Sequence, residues 1–262
     1  MPSALSGRPC QNDRNVTDAS LADWLAALEK RHLANLRPSE VSRALRSLSA
    51  YYVERRSKLA GGAALNTAGK RAAFALFYGP LHFLITREII TAIERARYVA
   101  QILDLGCGTG AAGAAWALAS GRCTINGIDR HPWTVDEANW TYRQLGITGY
   151  AGQAGIARAP IRGRKGHGIL AAYSINELDD ETRAGLILRL LEAKESGSHV
   201  LVIEPIAKRA LTWWSDWEQR FLNAGGRADE WRFRRELPER QRLLGRAAGL
   251  DPRELTARSL WM

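Results

Sequence analysis

ILDLGCGTGAAGAAWA, residues 102–117, passes from a short apolar strand through three glycines into an alanine-rich helix. Gly106, Gly108 and Gly110 follow the strand directly. Glycine adopts positive φ readily and lets a ligand approach the backbone, and the start of a helix presents unpaired N–H groups. This stretch therefore predicts a ligand-binding turn at the carboxyl end of a strand.

The next apolar run, CTINGID at 123–129, ends in Asp129. In an open α/β sheet, ligands bind beyond the carboxyl ends of the strands. A carboxylate at the end of the second strand can accept hydrogen bonds from ribose hydroxyls. The glycine turn and Asp129 together predict a ligand that contains a nucleoside.

Short apolar runs alternate with helix-length segments over the rest of the chain. GILAAY at 168–173 and HVLVIEP at 199–205 are the next two predicted strands, and each precedes a predicted helix. Segments 147–153 and 255–261 are weaker candidate strands. Repeated strand–helix units predict an α/β protein with a Rossmann-like, doubly wound and mostly parallel sheet.

The N-terminal third carries helical patterns and no strand signal. We predict a disordered polar tail at 1–17, a helical basic lobe at 18–98 and the sheet domain at 99–262. Residues 1–98 hold 15 Lys and Arg against 8 Asp and Glu, so they supply most of the formal net charge of +10. Such a surplus attracts phosphate-rich partners such as RNA, although solvated helix faces in an arginine-rich chain give the same pattern.

The cysteines and the hydropathy of the sequence indicate the cellular compartment that suits this protein. Cys10, Cys107 and Cys123 form no CxxC pair and have no histidine partner nearby in the sequence, which predicts neither a disulfide framework nor a metal site. The N-terminus has no apolar signal segment, and the most apolar stretch, at 81–93, is broken by an Arg-Glu pair. We therefore expect a cytoplasmic protein without a membrane span.

A dinucleotide is an alternative ligand, because Gly106, Gly108 and Ala111 also satisfy the GxGxxG/A pattern. Three features favour another nucleoside. Asp104 stands two residues before the first glycine, where the amino group of a methionine moiety would meet its charge. A long helical segment precedes the glycine strand. No tyrosine has a lysine four positions later, so a common dehydrogenase acid/base pair is missing.

ILDLGCGTG, followed in order by GIDRHP, AAYSINEL and VLVIEP, resembles the motifs of class I S-adenosylmethionine-dependent methyltransferases over residues 101–205. The resemblance implies S-adenosylmethionine as cofactor, with Asp104 facing its methionine part and Asp129 binding its ribose. Arg130 would flank the adenine, and Gln153 would replace the acidic residue that the family often places there. The other cofactor contacts that it implies are Gly106, Cys107, Gly108, Gly110 and Tyr173.

The loop after the fourth predicted strand, YSINEL at 173–178, offers catalytic groups. Methyl transfer needs the donor and the nucleophile held in line and, where necessary, a proton removed. Ser174 or Asn176 could position an acceptor, and Glu177 could act as a base if burial raises its pKa. In the alternative interpretation, Ser174 and Asn176 cap the next helix, and Glu177 favours its N-terminal dipole.

Two stretches are candidates to frame an acceptor site. FYGPLHF at 77–83 contributes aromatic rings, among them Phe77 and Phe83, and ARAPIRGRKGHG at 157–168 contributes four cations. Aromatic stacking beside cations suits RNA. His82 by itself is more typical of a packed surface histidine than of a catalyst.

The aromatic-rich lobe and the NEL at 176–178 also resemble a methyltransferase-like family associated with assembly of the small ribosomal subunit. Some members of that family carry an iron–sulfur cluster on cysteines that this sequence lacks, so no cluster is expected. We expect methyl transfer to RNA or to a ribosomal component. The alternatives are a non-catalytic assembly factor that binds the cofactor, a small-molecule methyltransferase and an NAD-dependent oxidoreductase.

Overall fold

The computed structural model describes residues 11–54, 65–121, 123–206, 211–250 and 254–262. At its centre is a sheet of seven strands. The strands are β1 (Gln101–Leu105), β2 (Thr124–Asp129), β3 (Gly149–Gln153), β4 (His167–Ala172), β5 (His199–Glu204), β6 (Arg227–Phe233) and β7 (Leu255–Trp261). The α-helices are α1 (Gln11–His32), α2 (Pro38–Glu54), α3 (Ala68–Ala73), α4 (Gly79–Ala92), α5 (Ala111–Ala119), α6 (Pro132–Gln144), α7 (Asp180–Glu195), α8 (Trp214–Asn223) and α9 (Glu239–Ala247).

The strand order is β3-β2-β1-β4-β5-β7-β6. Strands β1 to β5 run parallel, and β7 lies antiparallel between β5 and β6. From β1 the sheet extends in one direction through β2 and β3 and in the other through β4 and β5, so the order reverses beside β1. A ligand crevice is expected at the carboxyl ends of strands that flank such a reversal. The predicted Rossmann-like, doubly wound and mostly parallel sheet, preceded by a helical region, is confirmed.

Strand β6 was not predicted, whereas the runs assigned as strands, including the two weaker ones, are strands. The sequence of β6, RADEWRF, is rich in charges because β6 is an edge strand without a neighbour on one side. A central strand covered on both faces has a continuous apolar run, and an edge strand does not need one. Its neighbour β7 is buried along most of its length.

The helical region differs from the predicted lobe mainly at its start. Helix α1 begins at Gln11 rather than Asp18, and the sequence between them contains no glycine or proline that would stop a helix. The rest of the predicted tail, at 1–10, lies outside the described residues. Further along the region, α3, a π-helix at Phe74–Tyr78 and α4 follow one another without a break, although α4 begins with Gly79 and Pro80.

One hydrophobic core joins the helical region to one face of the sheet. Trp24 of α1 packs on Phe83 of α4 with ring centroids 5.5 Å apart, and Ile102 of β1 belongs to the same cluster. A second core lies on the other face, where Leu186 of α7 and Trp217 of α8 are buried. The predicted lobe at 18–98 therefore shares its core with the domain that follows.

A buried carboxylate lies at the contact between the helical region and α6. Glu137 is fully buried, and its two oxygens meet His32 Nε2 at 2.7 Å and Arg31 Nε at 3.0 Å. Both partners belong to the end of α1. Because an uncompensated buried charge is strongly unfavourable, this cluster fixes α1 against α6.

The stretch Ala68–Ala92 is long and apolar enough to cross a membrane by length and composition. However, 72% of its most apolar window is buried inside the fold. It lies against α5, beside the sheet. Its apolar composition is therefore that of a core helix.

Candidate functional site

The glycine turn joins β1 to α5 through left-handed backbone, with φ of 70° at Gly106, 53° at Gly108 and 75° at Gly110. At Gly106 a side chain is also blocked, since an added Cβ would lie 2.6 Å from the Cβ of Ser174. At Gly110 an added Cβ would lie 2.7 Å from the ring of Tyr142. The turn is therefore bare backbone for both conformational and steric reasons.

Asp129 connects the turn to the end of β2. Its Oδ2 accepts a hydrogen bond from the N–H of Gly108 at 3.0 Å, and its Oδ1 accepts one from the N–H of His131 at 2.9 Å. A carboxylate has about four lone pairs, two on each oxygen, so each oxygen of Asp129 can accept one further hydrogen bond. Because Asp129 lines the cavity described next, it can accept two further hydrogen bonds from a ligand there.

A cavity of about 340 Å³ lies over the carboxyl ends of β1 to β5. Its size is at the lower end of the range for small-molecule sites. Most of the predicted site residues line it, namely Gly106, Cys107, Gly108, Asp129, Arg130, Tyr173, Ser174, Asn176 and Glu177. The structure adds lining residues that the sequence did not mark, among them Leu65, Phe74, Thr109, His131, Thr134, Ala154, Gly155, Ile156, Glu204 and Pro205.

Asp104, Gly110 and Gln153 lie outside the cavity lining, although the sequence placed them among the cofactor contacts. Gly110 packs behind the turn. Gln153 donates from Nε2 to the carbonyl of Arg130 at 3.1 Å and so holds the loop after β2. Gly110 and Gln153 support the cavity from behind instead of lining it.

Asp104 lies in β1 beneath the turn and is buried. It faces Gly113 of α5, where an added Cβ would lie 2.4 Å from its Oδ2. Burial and the nearby charge of Asp129 raise the pKa of Asp104 to about 7. A hydrogen bond from the backbone N–H of Gly113 opposes this rise in pKa. The sequence could not distinguish this supporting place from one that faces a ligand, because the two differ only in the direction of one side chain.

Two acceptors hold the loop after β4. The Ser174 hydroxyl donates to the carbonyl of Leu105 at 2.8 Å, which ties the loop to the end of β1. Glu204, buried at the end of β5, accepts from the N–H groups of Ile175 at 3.1 Å and Asn176 at 3.3 Å. These bonds hold Asn176 in the cavity lining.

The interpretation in which Ser174 and Asn176 cap α7 is wrong. The cap is Asp179, whose side chain accepts from the N–H of Thr182 at 2.7 Å. Asn176 is one turn earlier, in a short 3₁₀ helix at Ile175–Glu177. Asn176 and Glu177 therefore line the cavity instead of capping α7, while the Ser174 hydroxyl is bonded to Leu105.

Glu177 and Arg130 form an ion pair of 3.1 Å between the loop after β4 and the loop after β2. Since β1 lies between these strands, the pair spans the glycine turn. Burial raises the pKa of Glu177 to about 7, against the opposing effect of Arg130. A carboxyl group with a pKa near neutral pH is suited to proton transfer.

Four rings form an aromatic wall of the cavity: Phe74, Tyr78, His82 and Tyr173. His82 stacks on Tyr173 with centroids 3.9 Å apart and planes 11° from parallel. Tyr78 lies 5.9 Å from Phe74 and 6.0 Å from His82. Burial lowers the pKa of His82 to about 3, so its imidazole is neutral at physiological pH. His82 is thus a cavity residue, not the packed surface histidine that its sequence context suggested.

The π-helix that carries Phe74 and Tyr78 is held from the other end of the chain. Gln241 of α9 is buried and donates from Nε2 to the carbonyl of Leu76 at 2.8 Å. π-Helical turns are rare and occur frequently at functional sites. The aromatic wall therefore depends on Gln241, which lies far from it in the sequence and shares no motif with it.

The two stretches expected to frame an acceptor site behave differently. In 77–83, Tyr78 and His82 line the cavity, while Phe77 and Phe83 are buried in the core. No residue of 157–168 lines the cavity. This loop leads back to the amino ends of the strands, where the backbone of Arg164 bonds with the side chain of Ser198. None of its four cations lines the cavity.

Within the part of the chain that the structure describes, no group of three or more His, Cys, Asp or Glu side chains could hold a metal ion. Cys107 and Cys123 are both free thiols. Cys10 lies outside the described residues.

No protein-family model and no curated protein matches the sequence. Among solved structures, the methyltransferase domain of bacterial CtHen1 is 13% identical over 70% of this chain and 99% of that chain, with a TM-score of 0.47. A TehB-like SAM-dependent methyltransferase from Corynebacterium glutamicum is 17% identical over 82% of this chain and 98% of that chain, with a TM-score of 0.45. A SAM-dependent methyltransferase from Aquifex aeolicus is 14% identical over 65% and 86%, with a TM-score of 0.43. At these values the likeness is one of fold alone.

Proposed function

We propose that this protein binds S-adenosylmethionine over the glycine turn and transfers its methyl group to an acceptor. The observation that carries the proposal is the pairing of a bare turn with Asp129. Each Asp129 oxygen is fixed by one backbone N–H and keeps a further lone-pair position for one of two neighbouring ribose hydroxyls.

Other lining residues fit the adenine and the sulfonium centre of this cofactor. His131, Ala154 and Ile156 would hold the adenine beyond β2 and β3, and Gly106 and Gly108 would leave room for the sulfonium centre. A dinucleotide would extend its second nucleotide across the reversal point of the sheet. The Arg130–Glu177 ion pair spans the turn in that direction, which favours the smaller cofactor.

The bound cofactor supplies a methyl group already activated for transfer, so the chain has to orient an acceptor and take up a proton. Glu177 is the proposed base, because it lines the cavity and its raised pKa lets it accept a proton near neutral pH. The amide of Asn176 is the proposed orienting group. Ser174 acts indirectly, since its hydroxyl ties the loop to β1.

We further propose RNA or a ribosomal component as the acceptor, acting in the cytoplasm. The basic surplus of residues 1–98 supports it, and so does the position of Arg71 of α3. The Arg71 guanidinium lies 5.8 Å from the ring of Trp133, and burial together with the charge of Arg71 lowers the pKa of the cavity residue His131. A cation of the helical region therefore lies close to the cavity, where it could meet a phosphate.

Calorimetry tests the cofactor proposal. We expect S-adenosylhomocysteine to bind the full-length protein with 1:1 stoichiometry, and NADH to give no heat under the same conditions. Binding of NADH in preference to S-adenosylhomocysteine would overturn the proposal and favour an oxidoreductase.

Label transfer tests the acceptor. The protein is incubated with cell extract and tritiated methyl donor, and RNA, protein and metabolite fractions are counted separately. We expect cofactor-dependent label in the RNA fraction, lost in Glu177→Gln. Label only in metabolites would replace RNA by a small molecule. Normal binding of S-adenosylhomocysteine without label in any fraction would favour a non-catalytic assembly factor.

A further inference from the structure

The strand order divides the cavity lining into two sides. The residues after β1, β2 and β3, which include Gly108, Asp129 and Ile156, form the turn side, where the proposed function places the cofactor. The aromatic wall and the residues at the ends of β4 and β5 form the other side. Phe74 joins the two, since an added Cβ at Gly108 would lie 3.6 Å from its ring.

The aromatic side presents flat, uncharged faces. The His82–Tyr173 stack is nearly parallel, and the neutral imidazole of His82 adds no charge. The nearest buried acid, Glu204, already accepts two backbone hydrogen bonds on Oε1. The other acid on this side, Glu177, is paired with Arg130 at 3.1 Å, so a cationic ligand would have to compete with that arginine, whereas a neutral ring needs no carboxylate.

Tyr173 supplies a polar group at this side. It is the only residue other than glycine with positive φ in the described ranges, at 59°, and its N–H donates to the carbonyl of Ile203 at 2.8 Å. Such strained conformations cluster at ligand sites. Its hydroxyl is buried and has no hydrogen-bond partner among the described residues. Tyr173 lines the cavity, so a side-chain adjustment that brings this hydroxyl to a bound ring would be favoured by a nitrogen or oxygen atom at the ring's edge and not by a hydrocarbon edge.

We propose that the aromatic side is the acceptor subsite, and that it takes a planar, neutral heteroaromatic ring such as a nucleobase. This inference rests on the proposed function and narrows its substrate to one chemical class. The ring stacks beside His82 and Tyr173, with its edge toward the Tyr173 hydroxyl and next to the turn. The same ring chemistry can come from a free nucleoside or from an unstacked base in RNA.

The test measures ring binding to protein saturated with S-adenosylhomocysteine, which blocks the cofactor side. The four ribonucleosides, ribose and n-butylamine are titrated singly by saturation-transfer NMR. Single-stranded homopolymeric RNA of the best nucleoside is titrated alongside. We expect at least one nucleoside to bind and ribose and butylamine not to bind. Binding of the RNA at least tenfold tighter than the nucleoside would identify RNA as the source, and equal affinity would identify a free nucleoside.

Variants of His82 connect this binding with the wall. His82→Leu should weaken nucleoside binding about five- to tenfold, the lower part of the range expected for loss of one stacking partner. His82→Phe keeps a flat ring and should retain binding. His199→Ala is the matched control, because His199 also stacks on an aromatic ring, Trp261 at 5.0 Å, but at the amino end of β5.

Two outcomes overturn the inference: butylamine binding as tightly as the best nucleoside, or His82→Leu binding the nucleoside like wild type. Affinity for S-adenosylhomocysteine, unchanged within about threefold, verifies that each variant is folded. If wild type fails to bind S-adenosylhomocysteine, the proposed function fails instead. In that case the nucleosides are titrated into protein without S-adenosylhomocysteine. If they bind, and His82→Leu weakens their binding, the ring subsite is supported even though the proposed function is not.

Discussion

The turn side and the aromatic side of the cavity are built in different ways. The turn side consists of backbone and one acid from consecutive strand–helix units, and its hydrogen bonds join near neighbours in the sheet. The aromatic side is assembled from side chains of a π-helix, of α4 and of the loop after β4, with Gln241 of α9 behind them. We therefore expect mutations on the turn side to weaken binding of the proposed cofactor, and mutations on the aromatic side to weaken binding of the proposed acceptor.

The largest effect on stability is expected where the helical region meets α6, because the Glu137 carboxylate there is fully buried. Glu137→Ala removes the buried carboxylate that Arg31 and His32 share. Because Arg31 is 40% exposed and can be solvated, the free energy of unfolding should fall by about 1.5–3 kcal/mol. Urea unfolding followed by tryptophan fluorescence measures the loss. Asp136→Ala, an exposed acid beside it in α6, should change stability by less than about 0.5 kcal/mol. Equal losses in both variants would contradict the expectation.

Asp129→Ala should damage the turn side alone. Loss of two hydrogen bonds to a charged acceptor, at about 1.5 kcal/mol each, corresponds to about 100-fold weaker binding of S-adenosylhomocysteine. Calorimetry on Asp129→Ala and His82→Leu side by side measures the difference. If His82→Leu weakened the cofactor as much as Asp129→Ala did, the two sides would not be separate.

Gln241→Met should damage the aromatic side alone. It keeps the side-chain length but leaves the Leu76 carbonyl without its donor, and should destabilise the protein by about 2 kcal/mol. Nucleoside binding should weaken while the affinity for S-adenosylhomocysteine stays within about twofold. Gln219→Met, an exposed glutamine of α8, is the control and should change neither. A loss of cofactor affinity in Gln241→Met would show that the π-helix also supports the turn side.

The smallest effect is a pH dependence at the ion pair that links the two sides. Because burial raises the pKa of Glu177 to about 7, the carboxylate needed as a base forms only as pH rises through 7. Methyl transfer should increase about tenfold between pH 6 and pH 8, and Glu177→Gln should remove this rise. Arg130→Gln removes the charge that lowers the pKa and should move the midpoint to higher pH, as carboxyl NMR titration would show. A midpoint near 4.5 would contradict the expectation.

The turn side could be predicted from sequence because its backbone conformation requires particular residues at positions that lie close together in the chain. Gly106 and Gly108 are required by positive φ, and Asp129 ends an apolar run, so both features can be read within one strand–helix–strand unit. Asp104 shows what such a local pattern cannot predict, namely the direction of a side chain. Its position in β1 was predictable, but its direction depends on the packing of Gly113 in α5.

The aromatic side could not be predicted in the same way, because tertiary packing brings its rings together. Tyr78 and Phe77 are adjacent aromatics in one helical run, yet one lines the cavity and the other is buried in the core. Glu204 ends a strand as Asp129 does, but it binds backbone N–H groups of the neighbouring loop. Edge strand β6 escaped prediction for a related reason, since half-exposed residues carry little apolar signal.

The bond from Gln241 to Leu76 has a consequence for how the protein is made. Translation proceeds from the amino terminus, so the π-helix emerges from the ribosome long before α9 can support it. The lining residues of the turn side all lie between β1 and the loop after β3, and the neighbouring strand β4 also precedes α9 in the chain. We therefore expect a nascent chain to order the turn side once β4 has paired with β1, and the aromatic side only when α9 has been synthesised.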